Sequence, residues 1–165
     1  MRVIVSDASV LFDLADSDLL LRCFALPYEF QIADVMFEEE LVSIGTMRED
    51  LLVAGLVVAS FSGEEVLEQI RLRSRFRALS APDAFALLLA RREGGILLTG
   101  DRRLRGAATA EGVERHGHLW LVERLSEHAV VADRTLVRVL TSWKRDVRVR
   151  LPDAAVDRTL ARLER

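Results

Sequence analysis

The stretch Ile96-Leu97-Leu98-Thr99-Gly100-Asp101 decides how the rest of the chain is read. It follows Gly94-Gly95, runs apolar through Leu98 and closes on Gly100, the pattern of a short strand buried on both faces. Thr99 and Asp101 stand at its carboxyl end, with Arg102, Arg103 and Arg105 directly after. In open α/β sheets ligands sit outside the carboxyl ends of the strands, so a carboxylate there is well placed for metal binding or catalysis. Taken singly, Asp101 is equally well explained as the cap of the helix that follows.

The beginning of the chain repeats the design. Val3 to Ser6 is an apolar run ending in Asp7-Ala8-Ser9, and Val10 to Ala15 turns helical: strand, acid, helix. A second helix is predicted from Ser17 to Leu26 before Pro27, then a strand over Phe30 to Ala33. Asp34 reads as the N-cap of a helix through Glu38-Glu39-Glu40 to Ile44, stopped by Gly45; Met47 to Ala54 is helical and Leu56 to Phe61 strand-like. Ser62-Gly63-Glu64-Glu65 is a capping box, and Ser80-Ala81-Pro82-Asp83 starts a buried helix with Pro82 near its first position. Beyond Asp101 come a helix around Leu104 to Ala110, a turn at His116-Gly117-His118, and a helix over Leu119 to Leu125. Two tail helices, Asp133 to Trp143 and Asp153 to Arg165, flank a charged segment from Lys144 to Arg150.

This alternation predicts an α/β fold, a three-layer α/β/α sandwich with a central parallel sheet and added C-terminal helices. Residues 1–165 read as a single domain, 1–125 the core and 126–165 a helical extension. A chain of 165 residues holds one substantial core. Half its residues are apolar and its formal charge is −3, which argues against a disordered chain or a protein that coats nucleic acid non-specifically. Cys23 is the only cysteine, which excludes an internal disulfide and a Cys-rich zinc site and predicts a reducing, cytoplasmic setting. No signal peptide opens the chain and no apolar run reaches membrane-spanning length, so no membrane association is expected.

Four acids lie at element boundaries: Asp7 and Asp101 after strands, Asp83 in a helix's first turn, Glu40 on an early helix. The chemistry that wants such a set is phosphodiester hydrolysis with Mg²⁺ or Mn²⁺, hard cations that prefer carboxylate oxygens and water. Each acid also has a bland reading. Asp7, Asp83 and Asp101 fit helix caps, contributing roughly 0.5–2 kcal/mol each, and a glutamate triplet fits a solvated face.

Four motifs in order resemble those of the PIN-domain ribonucleases: Val3-Ile4-Val5-Ser6-Asp7-Ala8-Ser9; Asp34 to Val42 with Glu40-Leu41 the best match; Ser80-Ala81-Pro82-Asp83-Ala84; and Leu98-Thr99-Gly100-Asp101-Arg102-Arg103-Leu104. His116 to Leu121 and Arg150-Leu151-Pro152 resemble a longer PIN subgroup found in toxin–antitoxin loci. The resemblance implies a Mg²⁺/Mn²⁺-dependent endonuclease of single-stranded RNA, commonly a homodimer, held inactive by a small antitoxin protein. It also implies metal ligation by Asp7, Glu40, Asp83 and Asp101, the triplet leaving Glu38 and Glu39 as alternatives to Glu40. On this reading Ser9 and Thr99 orient the carboxylates, and Arg102, Arg103 and Arg105 contact RNA phosphates.

Other basic and aromatic residues read as structural. Arg71, Arg73, Arg75 and Arg77 fit a surface laced with Glu64, Glu65 and Glu68, Phe12, Phe37, Phe85 and Trp120 fit the core, and His116 and His118 fit the surface. Two competing functions use the same residues: a non-catalytic PIN-like interaction module, and an acid-cluster phosphate-handling α/β domain. The latter usually needs a lysine near the acids, and the sole lysine, Lys144, lies in the tail. A dinucleotide-binding domain is excluded by the absence of Gly-x-Gly-x-x-Gly after the first strand.

Overall fold

In a computed structural model describing residues 1–165, five short strands form one parallel sheet: β1 (Arg2–Ser6), β2 (Tyr28–Ala33), β3 (Val57–Ala59), β4 (Ile96–Leu98) and β5 (Glu114–His116), in the order β3-β2-β1-β4-β5. In the central pair β1 is apolar from Val3 to Val5 and β4 along its whole length, as strands covered on both faces must be, and Ile4, Val5, Ile96, Leu97 and Leu98 are fully buried. The register Ile4↔Ile96 and Ser6↔Leu98 brings the carboxyl ends of β1 and β4 level. Gly95 permits this pairing: a Cβ there would lie 2.8 Å from the carbonyl oxygen of Val3.

Nine α-helices surround the sheet: α1 (Ala8–Asp16), α2 (Asp34–Glu39), α3 (Met47–Ala54), α4 (Gly63–Arg75), α5 (Ala81–Arg92), α6 (Arg102–Ala110), α7 (His118–Glu127), α8 (Asp133–Arg145) and α9 (Asp153–Leu163). The result is the expected three-layer α/β/α arrangement. From β1 the chain winds outward to β2 and β3, then returns past β1 to lay down β4 and β5 on its other side. Right-handed crossovers then place α1 to α3 on one face and α4 to α6 on the other. The winding reverses between β1 and β4, the point where α/β sheets open a crevice at their carboxyl ends. α8 and α9 carry Leu136, Leu140, Trp143 and Val156 into the same buried cluster as the sheet. No helix is long and apolar enough to cross a membrane.

Several elements differ from the sequence expectation for local physical reasons. The helix predicted over Ser17 to Leu26 is only a 3₁₀ turn at Leu21–Ala25. Ser17 is the C-cap of α1, its hydroxyl donating back to the Asp13 carbonyl at 2.9 Å, and Asp18 adopts a left-handed φ of 56°. The helix expected from Asp34 to Ile44 ends at Glu39, with Glu40 its C-cap and Leu41–Ile44 a 3₁₀ turn. Asp34 is its first residue, after an Ala33 cap. Strand β3 is shorter than predicted, and β5 was not predicted at all. It is three residues long with charged Glu114 and Arg115, and its pairing with β4 defines it.

Candidate active site

Asp7 ends β1 and caps α1. Its Oδ1 accepts from the Val10 backbone N–H at 2.9 Å and from the Ser9 hydroxyl at 3.1 Å. Its Oδ2 accepts from the Thr99 hydroxyl. The residue is 2% exposed, and its own N–H donates to the Leu98 carbonyl at 3.0 Å, tying it to β4. Burial pushes the Asp7 carboxyl above its ordinary range, against the opposing pull of the hydrogen bonds from Thr99, Val10 and Ser9 and of the nearby His118 ring.

Thr99, fully buried, joins the two strand ends: its hydroxyl donates to Asp7 and accepts from the Asp101 N–H at 3.0 Å. Asp7 and Asp101 therefore flank the same crevice. The Asp101 carboxylate is turned to the start of α6, where Oδ1 accepts from the N–H groups of Arg103 (2.8 Å) and Leu104 (2.9 Å). Asp83 closes a capping box with Ser80 at the start of α5, its N–H 3.1 Å from the Ser80 hydroxyl and its Oδ2 3.3 Å from the Ser80 N–H. Three of the acids thus cap helices as the bland reading held. A cap and a site are compatible, because the first turns of α1, α5 and α6 favour negative charge where those helices meet the crevice.

Of the glutamate triplet, Glu38 and Glu39 are exposed, and Glu38 pairs with Arg48 at 3.3 Å. Glu40 is half-buried, its side chain brought inward where α2 tightens into the 3₁₀ turn. Burial, then the negative charges of Asp83, Asp7 and Glu39, raises its carboxyl above the usual value. Asp83 and Asp7 are thus near enough for their charges to reach Glu40.

None of Asp7, Glu40, Asp83 and Asp101 takes part in an ion pair. Other carboxylates do: Glu65, Glu68 and Glu111 are engaged by Arg71, Arg75, Arg91 and Arg92 in a network over α4, α5 and α6. Arg71 and Arg75 thus belong to a solvated salt-bridge surface, as expected. Lys144 is held by Asp157 in the tail and offers the acids no cation. Carboxylates outside any ion pair, two of them (Asp7 and Glu40) drawn partly out of water, suit a hard divalent ion. No three of the His, Cys, Asp and Glu side chains stand close enough to share one ion directly. Mg²⁺ needs only one or two carboxylates and keeps several waters, so the donor set fits.

Arg102 and Arg103 are exposed on the first turn of α6 and make no ion pair, whereas Arg105 folds back and donates to the Thr99 carbonyl at 3.2 Å. Burial, then the charge of Arg115, lowers the Arg105 guanidinium below its ordinary value. Phe37 is buried and Phe12, Phe85 and Trp120 pack against the core, as expected. The expectation for His118 fails: it is 4% exposed and bonded through Nε2 to Asp13 Oδ2 at 2.8 Å. Partners 105 residues apart leave no local signal, so the sequence gives no sign of this pair. His116 lies stacked on Trp120, ring centroids 4.4 Å apart.

No curated protein matches the chain. A family model described as PIN domain matches residues 3–165, which takes in all four motifs and the helices after them. With a five-stranded parallel sheet in the order β3-β2-β1-β4-β5 and a family match over residues 3–165, the chain belongs to the PIN-domain family.

Proposed function

We propose that this protein hydrolyses RNA phosphodiester bonds as a Mg²⁺- or Mn²⁺-dependent endoribonuclease, and that it is the toxin of a toxin–antitoxin pair acting in the cytoplasm as a homodimer. The observation that carries the nuclease reading is the pair of desolvated acids Asp7 and Glu40, neither of them in an ion pair, with Asp7 at the β1–β4 reversal of the sheet. PIN domains are a nuclease-type family that typically uses divalent metals. The toxin, antitoxin and dimer assignments rest on the motif resemblance alone.

Asp7, Glu40, Asp83 and Asp101 would hold one or two ions between them, no more than two carboxylates touching an ion directly and the others acting through its bound waters. When bound, such an ion supplies charge stabilisation at the phosphoryl group and makes a water acidic enough to attack phosphorus in line. Ser9 and Thr99 fix both oxygens of Asp7, so the carboxylate meets its ligand already oriented. Arg102 and Arg103 present free guanidinium groups to the RNA backbone beside the crevice, and Arg105 braces the turn that carries Thr99. A phosphate-handling enzyme of the lysine-assisted kind is disfavoured, because Lys144 is engaged by Asp157.

The test is incubation of the full chain with single-stranded and structured RNAs in Mn²⁺ and in EDTA, beside Asp7→Asn. Cleavage in Mn²⁺ only, falling by about a hundredfold or more in the variant, is expected, since even outer partners of metal ligands are worth about 10- to 100-fold. Equal cleavage by Asp7→Asn removes Asp7 from the mechanism. Absence of both cleavage and Mn²⁺-dependent thermal stabilisation would favour a non-catalytic interaction module.

A further inference from the structure

Asp13 and His118 meet beside the turn that carries Thr99, Gly100 and Asp101. Asp13 lies on α1, about 9 Å along the helix axis from its Asp7 cap, and His118 opens α7 directly after β5. His118 Nε2 is 2.8 Å from Asp13 Oδ2. A carboxylate only accepts, so Nε2 carries the proton and donates. The ring packs edge-on against Trp143, centroids 5.4 Å apart. The Trp143 indole N–H donates to the Ser17 hydroxyl at 2.8 Å, and that hydroxyl donates to the Asp13 carbonyl at 2.9 Å.

The other ring nitrogen, Nδ1, is buried and has no partner. The edge that carries it faces Gly100: a Cβ at Gly100 would stand 3.2 Å from Cε1 and 3.6 Å from Nδ1. A leucine here would fill space without leaving a buried polar atom unmatched, so packing alone gives no reason for the imidazole. What the ring supplies is a second point of attachment. The N-terminus of α1 is fixed to β4 by the Asp7 contacts with Leu98 and Thr99. A helix held at one end pivots; the His118–Asp13 bond holds it further along, with the β4–α6 turn packed against the same ring.

We infer that His118, oriented by Asp13, is a positioning residue for the acid site: it locks α1 against the Thr99–Gly100 turn and so keeps Asp7 and Thr99 in register. The assignment rests on the nuclease reading for its catalytic consequence but not for its structural one. The backbone on the far side of the turn supports it, since Thr99 N–H donates to the His116 carbonyl at 3.0 Å. The strand–helix connection that delivers His118 is thus itself fastened to the turn it braces.

The experiment compares wild-type protein with His118→Ala, His118→Gln and Asp13→Asn in three measurements. Amide exchange is read in metal-free protein at Val10 and Asp101, whose N–H groups donate to the Asp7 and Thr99 side chains. Mn²⁺ affinity is read from the concentration giving half the thermal stabilisation, and cleavage as separate kcat and KM. His118→Ala is expected to speed exchange at Val10 and Asp101 selectively over β2, and to weaken Mn²⁺ binding and lower kcat by about 10- to 100-fold with KM little changed. His118→Gln, whose amide reaches Asp13, recovers most of the loss. Should His118→Ala fail to fold, Asp13→Asn is expected to show the same changes in smaller measure. Melting lowered with exchange at Val10 and Asp101, Mn²⁺ affinity and kcat all at wild-type values would make His118 a packing residue and overturn the inference. If wild-type protein neither cleaves RNA nor responds to Mn²⁺, the nuclease reading falls and the exchange data alone decide the role of His118.

Discussion

A carboxylate drawn out of water without an ion pair is costly at neutral pH, and buried Asp7 and half-buried Glu40 are both of this kind. Burial is the first cause of the upward shift in each, so both hold protons in the folded state at pH values where the unfolded chain has already released them. The stability they contribute is complete below the ordinary carboxylate range and is lost as pH rises through the raised folded values. Carboxylates held low, Glu65 by the Ser62 backbone N–H and then Arg92, and Glu68 by Arg91, push the opposite way, so the effect is read as a difference. Relative to an Asp7→Asn, Glu40→Gln double variant, metal-free wild-type protein is expected to lose stability as pH climbs from about 4, and Mn²⁺ to restore it. Denaturant midpoints in EDTA across that range check this; a difference independent of pH would contradict it. Thr99 gives a second residue-level test. Thr99→Val keeps the shape but removes one donor to Asp7 and one acceptor for the Asp101 N–H. Expected are about 1–3 kcal/mol of destabilisation and about 10- to 100-fold weaker Mn²⁺ binding by thermal shift.

Elements with their own local code were legible in the sequence. Ser62 with Glu65, and Ser80 with Asp83, form the capping boxes that start α4 and α5. The apolar runs of β1 and β4 marked strands covered on both faces. What failed were elements whose ends depend on neighbours. Ser17 looks like a start signal, yet its hydroxyl closes α1. Glu40 lies in an unbroken helical pattern, yet α2 stops there and leaves its side chain half-buried. β5 has no apolar run of its own and exists through its ladder with β4. At this scale Gly95 is decisive, because its missing Cβ lets β4 lie against Val3. Gly95→Ala is expected to cost about 1–3 kcal/mol in chemical denaturation by forcing the backbones apart; an unchanged midpoint would show that the strands shift freely.

For the whole molecule, the last forty residues are fastened to the core through Leu136, Leu140, Val156 and Trp143, and Trp143 adds a hydrogen bond. It is 3% exposed, packs against His118 and bonds to Ser17 on α1. Trp143→Ala is expected to cost about 3–5 kcal/mol, measured by denaturant unfolding. If the tail were an independent appendage, most of that loss would be missing. The sequence by itself determined the alternation of strands and helices, the helix caps, and the presence of acids just beyond apolar strands, because each depends on periodicity or hydrogen bonding within a few residues. Only the tertiary structure decided that β1 lies beside β4, that Glu40 is half-buried while Glu38 and Glu39 stay exposed, and that His118 reaches Asp13. Strand order and contacts across such separations are chosen by how whole layers bury their apolar faces, and no short stretch of chain carries that information.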